Sequence, residues 1–227
     1  MTDTQAIPTA VGIADRTLGE LATSMPGATA VFRAEKLDFC CGGSVTLREA
    51  AAAKALDLNA LTAKLESLAE GARLVVALLA TDSLIDLIVE RYHRAHQREL
   101  PELIRLARRV EAVHRDKASA PAGLASLLER VLGELTAHMQ KEEIILFPRM
   151  RRGWSPMIRH PIAAMLAEHD DHGAHLRAVQ ALTSDFTPPQ GACTTWQALY
   201  AGLRKFADDL VEHISIENNT LFPRFTA

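Results

Sequence analysis

His138-Met139-Gln140-Lys141-Glu142, followed by Leu146-Phe147-Pro148, recurs as His213-Ile214-Ser215-Ile216-Glu217, followed by Leu221-Phe222-Pro223. Matching positions lie 75 residues apart. Each copy sets a His and a Glu at i and i+4, neighbours on one helix face. That spacing suits two ligands of one metal ion. Its duplication predicts a two-metal site inside a helical bundle.

Both copies continue apolar stripes. Leu124, Leu127, Leu128, Val131, Leu132 and Leu135 lead into His138, Glu142 and Ile145. Leu199, Leu203, Phe206 and Leu210 lead into His213, Glu217 and Leu221. Two more helices show the same three-four spacing. One begins near Asp82 or Ser83 and carries Ile85, Val89, Tyr92, His93, His96 and Leu100, with Pro101 as a kink point before His114. The other follows Pro161 with Ile162, Met165, Leu166, His169, His172, Leu176 and Val179. Pro121-Ala122-Gly123 and Thr187-Pro188-Pro189-Gln190-Gly191 read as loops. The expectation is an antiparallel up-down four-helix bundle over residues 82–227.

His93 precedes His138 by 45 residues and His169 precedes His213 by 44, so the bundle reads as two helical hairpins. A bundle-facing carboxylate without a partner is costly, and two in one core repel. Cations held between them remove both problems. Imidazole with carboxylate suits iron, manganese or zinc. Buried His–Glu hydrogen bonds would account for one such motif, but two copies in register with an upstream His each favour metal. His96 and His172, three residues after His93 and His169, are open to three readings: extra ligand, donor to a ligand, or polar residue at the stripe's edge. The last two are favoured. Glu134 and Glu168, within a turn of a ligand His, could line an access path, orient imidazoles or simply face solvent. His160 and His175 are expected to face solvent, and His114 carries no signal.

Before the bundle, residues 1–71 read as a small helical module and 72–81 as a linker. Thr17-Leu18-Gly19-Glu20 and Thr46-Leu47-Arg48-Glu49 have capping-box form, and Asn59 is a candidate cap for a third helix. Cys40-Cys41-Gly42-Gly43 precedes the second capped start. A thiol there is a candidate for a lowered pKa and thiolate chemistry. A buried small hydrophobe is an equal alternative. Cys193 reads as structural. Strand signals are nearly absent, so the chain is expected to be all-α.

Composition sets wider bounds. Of 227 residues 48% are hydrophobic and the net charge is −3, which argues for a globular chain and against nucleic acid or an anionic membrane surface as partner. The stretch Leu74–Ala80 is too short to span a bilayer. Met1–Gly12 lacks the form of a signal peptide, and three cysteines do not make a disulfide framework. The expected compartment is a reducing cytoplasm.

With these residues in place, the span from Asp82 to Phe225 resembles a hemerythrin-like, cation-binding domain. The resemblance implies two iron ions per chain, with Glu142 and Glu217 bridging them. It assigns His93 and His138 to one half and His169 and His213 to the other. The oxygen-carrying hemerythrins place a second His four residues on, where this chain has Gly173. That departure implies a more open, reactive site. Asp38-Phe39-Cys40-Cys41-Gly42-Gly43 resembles the N-terminal domain of the iron–sulfur cluster repair di-iron proteins, in which such a module precedes a hemerythrin-like domain. The implied function is repair of iron–sulfur clusters damaged by nitric oxide or oxidants, with iron–sulfur proteins as clients and a role for Cys40 and Cys41. Iron donation and nitrosyl removal both stay open. Two alternatives are a di-iron enzyme reducing nitric oxide or oxygen species, and a sensor of oxygen, nitric oxide or iron. The small domain could also mediate a homodimer.

Overall fold

The computed structural model describes residues 12–25, 27–39, 43–69 and 79–226. Cys40 and Cys41, and most of the 72–81 connection, lie outside the described residues. The chain divides into two compact units, Met1–Leu74 and Val75–Ala227. Both are all-α. Among the described residues the only β pairing is an isolated antiparallel bridge, Thr17 to Thr46.

That bridge sits in the N-terminal unit and joins two helix starts. α1 (Leu18–Ser24) and α3 (Leu47–Ala53) each open on a complete capping box, Thr17 with Glu20 and Thr46 with Glu49. The amide N–H of Leu18 donates to Val45 O and that of Leu47 to Arg16 O, both at 2.9 Å. Two features differ from the sequence expectation. A further helix, α2 (Ala28–Ala34), intervenes after Gly27, which adopts a left-handed φ of 86° that glycine tolerates freely. α4 (Leu58–Ala69) is capped by Asp57, whose carboxylate accepts from Asn59 and Ala60 N–H; Asn59 is already inside the helix. Leu18, Leu21, Phe32, Phe39, Leu47 and Leu65 form the buried core.

In the second unit, α5 (Thr81–Leu87), a π-helical segment Ile88–His93 and α6 (Arg94–Val113) make the first long rod. It runs through Pro101 to Val113. α7 (Leu124–Lys141), a π segment Glu142–Leu146 and α8 (Phe147–Arg151) make the second. α9 (Arg159–Leu182) is the third. α10 (Thr194–Ile216), a π segment Glu217–Leu221 and α11 (Pro223–Thr226) make the fourth. α6 packs on α7 and α10, and α9 on α7 and α10, closing a four-helix ring. Among the described residues no helix is long and apolar enough to cross a membrane.

The π turns change the phase of the stripes. In a regular helix Ile145, three residues past Glu142, would point inward. The wider turn adds a residue, so Leu146 and Phe147 are buried while Ile145 is 45% exposed. Leu166, expected inward on α9, is also exposed. Beside the polar cluster lies an apolar plug that includes Ile88, Tyr92, Leu146, Phe147, Ile162, Met165, Leu221 and Phe222.

Candidate metal centre

His93, His138, Glu142, His169, His213 and Glu217 lie together in the bundle core, and none exposes more than 1% of its surface. Two of the π segments begin at the Glu of a repeat and the third ends at His93. Such turns recur at functional sites because they aim a side chain that a regular helix would misplace. The six residues form two overlapping groups: His93 and His213 with both carboxylates, and His138 and His169 with the same two carboxylates.

This grouping corrects the hairpin assignment. His93 Nε2 lies 3.1 Å from His213 Nε2, and His169 Nε2 lies 3.1 Å from His138 Nε2. Each half therefore takes one His from each hairpin. The reason is the ring of helices: α6 packs on α10 as well as α7, so the upstream His of one hairpin meets the downstream His of the other.

Both carboxylates span the two halves. Glu217 sets Oε1 3.1 Å from His213 Nε2 and Oε2 3.1 Å from His169 Nε2. Glu142 Oε2 lies 3.4 Å from His93 Nε2 and 3.5 Å from His138 Nε2, with neither oxygen in hydrogen-bond geometry. Burial disfavours charging His93, but Glu142 and Glu217 outweigh it and raise its pKa. For His169 burial again opposes the charge, and Glu217, the largest of the opposing influences, helps raise its pKa. For His213 burial prevails and the pKa falls. Burial opposes ionising Glu217, yet His213 and His169 hold it well below the usual carboxylate range.

An outer ring of acceptors fixes the imidazoles. His93 Nδ1 pairs with Glu143 at 2.9 Å, His138 Nδ1 with Glu168 at 2.9 Å, and His169 Nδ1 with Asn218 Oδ1 at 2.7 Å. Arg94 neutralises Glu143, and Lys141 neutralises Glu168. With Nδ1–H donated outward, each ring turns Nε2 inward, where a neutral ring carries its lone pair. Lone pairs of His138 and His169 then face each other at 3.1 Å, which requires a proton or a cation between them. Two nitrogens each about 2.1 Å from one cation and at a right angle around it sit about 3 Å apart, so the donor set fits a metal.

Glu168 was among the sequence candidates; Glu143 and Asn218 were not. A signal was present, because each directly follows the Glu of its repeat and each binds the upstream His of its own hairpin. The Leu-Phe-Pro endings act on the same histidines. Phe147 stacks on His93 at 5.8 Å and Phe222 on His169 at 5.9 Å.

His96 and His172 are buried beside this cluster, with no hydrogen-bond partner at either ring nitrogen. Burial depresses the His96 pKa to about 2 and the His172 pKa to about 3. They are not polar residues at a stripe's edge. Gly173, four positions after His169, is buried and brings no side chain. His160 is exposed; His175 is only partly so, 3.3 Å from Glu134. Cys193 stands at the N-cap position of α10, its Sγ 3.2 Å from His114 Nε2.

Residues 84–225 match the model of the hemerythrin HHE cation-binding domain. Residues 14–69 match ScdA_N, a domain of unknown function. Three similar proteins are each named iron–sulfur cluster repair protein YtfE. That of Citrobacter koseri is 50% identical over 216 residues, covering 94% of this chain and 97% of its own. That of Enterobacter sp. strain 638 is 49% identical over 218 residues, with coverage of 94% and 97%. That of Dickeya chrysanthemi is 48% identical over 212 residues, with coverage of 92% and 96%.

Proposed function

Because the chain belongs to the YtfE family of iron–sulfur cluster repair proteins, we propose that it restores clusters damaged by nitrosative or oxidative stress in the cytoplasm, donating iron from a pair of ions in its bundle. The observation that carries this reading is the convergence of four imidazole Nε2 atoms, paired at 3.1 Å, on two buried carboxylates shared by both pairs. His93 and His213 would hold one iron, His138 and His169 the other, and Glu142 and Glu217 would bridge them. Bound there, the irons supply a redox-active and exchangeable store.

The protein's own groups do the rest. Four neutral imidazoles and two carboxylates offset the charge of two divalent ions only in part, which leaves the store releasable. Glu143, Glu168 and Asn218 keep the Nδ1 protons turned outward, so the inward nitrogens stay free to bind. Phe147 and Phe222 stack on His93 and His169, where they would limit water. Cys40 and Cys41 are assigned a thiol role in transfer to the client.

The test uses anaerobically isolated protein loaded with isotopically labelled iron and an enzyme whose four-iron cluster has been damaged by nitric oxide. About two irons per chain and labelled iron in the restored client are expected. Restoration without label would replace donation by nitrosyl removal. No restoration, with steady nitric oxide consumption in the presence of a reductant, would establish the enzyme reading instead. Cys40→Ser/Cys41→Ser is expected to impair restoration and leave the iron content unchanged.

A further inference from the structure

Outside the six-residue cluster, the described residues hold one more group of potential ligands: Glu134 on α7 with His172 and His175 on α9. One donor atom from each lies within 4.8 Å of the other two. We propose that Glu134, His172 and His175 bind a third divalent cation beside the dinuclear centre, and that ferrous iron enters and leaves that centre through it.

Four observations carry this. His172 is 3% exposed, and neither of its ring nitrogens has a hydrogen-bond partner. Burying such an imidazole unpaired is costly, and coordination removes that cost. His172 and His175 are an i, i+3 pair, so both present to the same side of α9. His175 Nδ1 reaches 3.3 Å from Glu134 Oε2 without hydrogen-bond geometry, as two donors to a common ion would.

The group also has the right position. The His172 ring meets that of His138 edge-on, with centroids 4.9 Å apart, so it abuts one half of the dinuclear centre. At the other side the Glu134 side chain is 45% exposed and that of His175 is 19% exposed. The triad thus runs from solvent to the buried ligands. Two imidazoles and one carboxylate suit ferrous iron or zinc, and three protein ligands leave positions for water. A partly hydrated ion exchanges readily, as a transit position requires. Among the described residues, His96, the corresponding residue near His213, belongs to no such group; its ring meets Phe206.

The transit role rests on the dinuclear reading above; the binding of a third ion does not. The test is anaerobic titration of the untagged, metal-free full chain with cobalt(II), followed by visible absorption and calorimetry. Wild type is expected to bind about three ions per chain, and His172→Leu, Glu134→Gln and His175→Leu about two. The last two alter accessible side chains, so they remain informative if the buried substitution disturbs folding. Two ions in wild type and all variants would overturn the proposal, as would loss of the dinuclear ions from any of them. Glu142→Ala/Glu217→Ala is expected to keep one ion at the triad. A wild type that binds a single ion, lost on Glu134→Gln, would refute the dinuclear centre and support the third site. Stopped-flow loading with ferrous iron is expected to fill the dinuclear centre several-fold more slowly in His175→Leu, to the same final level. Equal rates would overturn the transit role.

Discussion

The two halves of the centre are built alike and differ in what lies beside them. Each takes an upstream and a downstream His, each shares Glu142 and Glu217, and each has a further buried His one turn away. Near His213, His96 packs on Phe206, and the nearby Asp209 is buried. That carboxylate accepts from Arg91 at 2.8 and 3.2 Å and from Lys205 at 2.8 Å. Near His138, His172 leads instead to the partly exposed Glu134 and His175. A duplicated helical hairpin has thus produced one side whose outlying His packs on an aromatic ring and one side whose outlying His leads to partly exposed donors. The difference teaches that the repeat places the six His and Glu side chains, while the non-repeated neighbours decide which side meets solvent.

The largest expected effect would break the comparison at its shared element. Glu217→Ala should empty both halves, because its two oxygens face one His of each; elemental analysis that finds one iron retained would show the halves to be independent. Next come the outward hydrogen bonds. Glu143→Gln and Glu168→Gln should each weaken metal binding by about 10–100-fold, measured by competition with a chelator, and the loss should start in the half that holds the affected His.

A pH experiment then compares the two outlying histidines in metal-free protein. The folded pKa values of His96 and His172 are depressed, to about 2 and about 3 from a usual 6.5. Below pH 6.5 the unfolded chain takes up protons that the folded chain refuses. Each residue therefore lowers stability progressively as pH falls from 6.5 and has no such effect above it. The slope is about 1.4 kcal/mol per pH unit per residue. Denaturant titrations from pH 7 to 5 should show a shallower decline for His172→Leu and for His96→Leu than for wild type.

The smallest effect concerns the side of His96. Asp209→Asn should cost about 1–2 kcal/mol at neutral pH, since it weakens charge-assisted bonds to Arg91 and Lys205. Burial raises the Asp209 pKa, but Arg91 and Lys205 outweigh it and lower it below the usual 3.8. The difference between wild type and variant should be full above that value and vanish as pH falls through the lowered one. A difference that persists in strong acid would show that packing, not charge, is what Asp209 contributes.

The fold was legible because its signals are local and periodic. The stripes through Leu128 and Leu135, or Leu203 and Leu210, announce buried helix faces whatever they pack on. The capping boxes at Thr17 and Thr46 mark helix starts through bonds made within four residues. α2 was not legible, since its short stretch Ala28–Ala34 has no cap beyond a permissive glycine. The π turns were also hidden, because one inserted residue alters which face Ile145 and Leu146 occupy without changing composition.

The six-residue cluster shows the same division. The sequence by itself determined that His138, Glu142, His213 and Glu217 continue apolar stripes, and that His93 and His169 recur at matching offsets. Spacing along a helix is a covalent property, so it can be read before anything folds. Only the tertiary structure decided that His93 pairs with His213 and His138 with His169, because that choice depends on which helices are neighbours in the ring. Tertiary structure alone also brought Glu134 to His172 and His175 across two helices, and left His96 without an equivalent. Contacts across the bundle come from the packing of faces, and no interval within one helix encodes them.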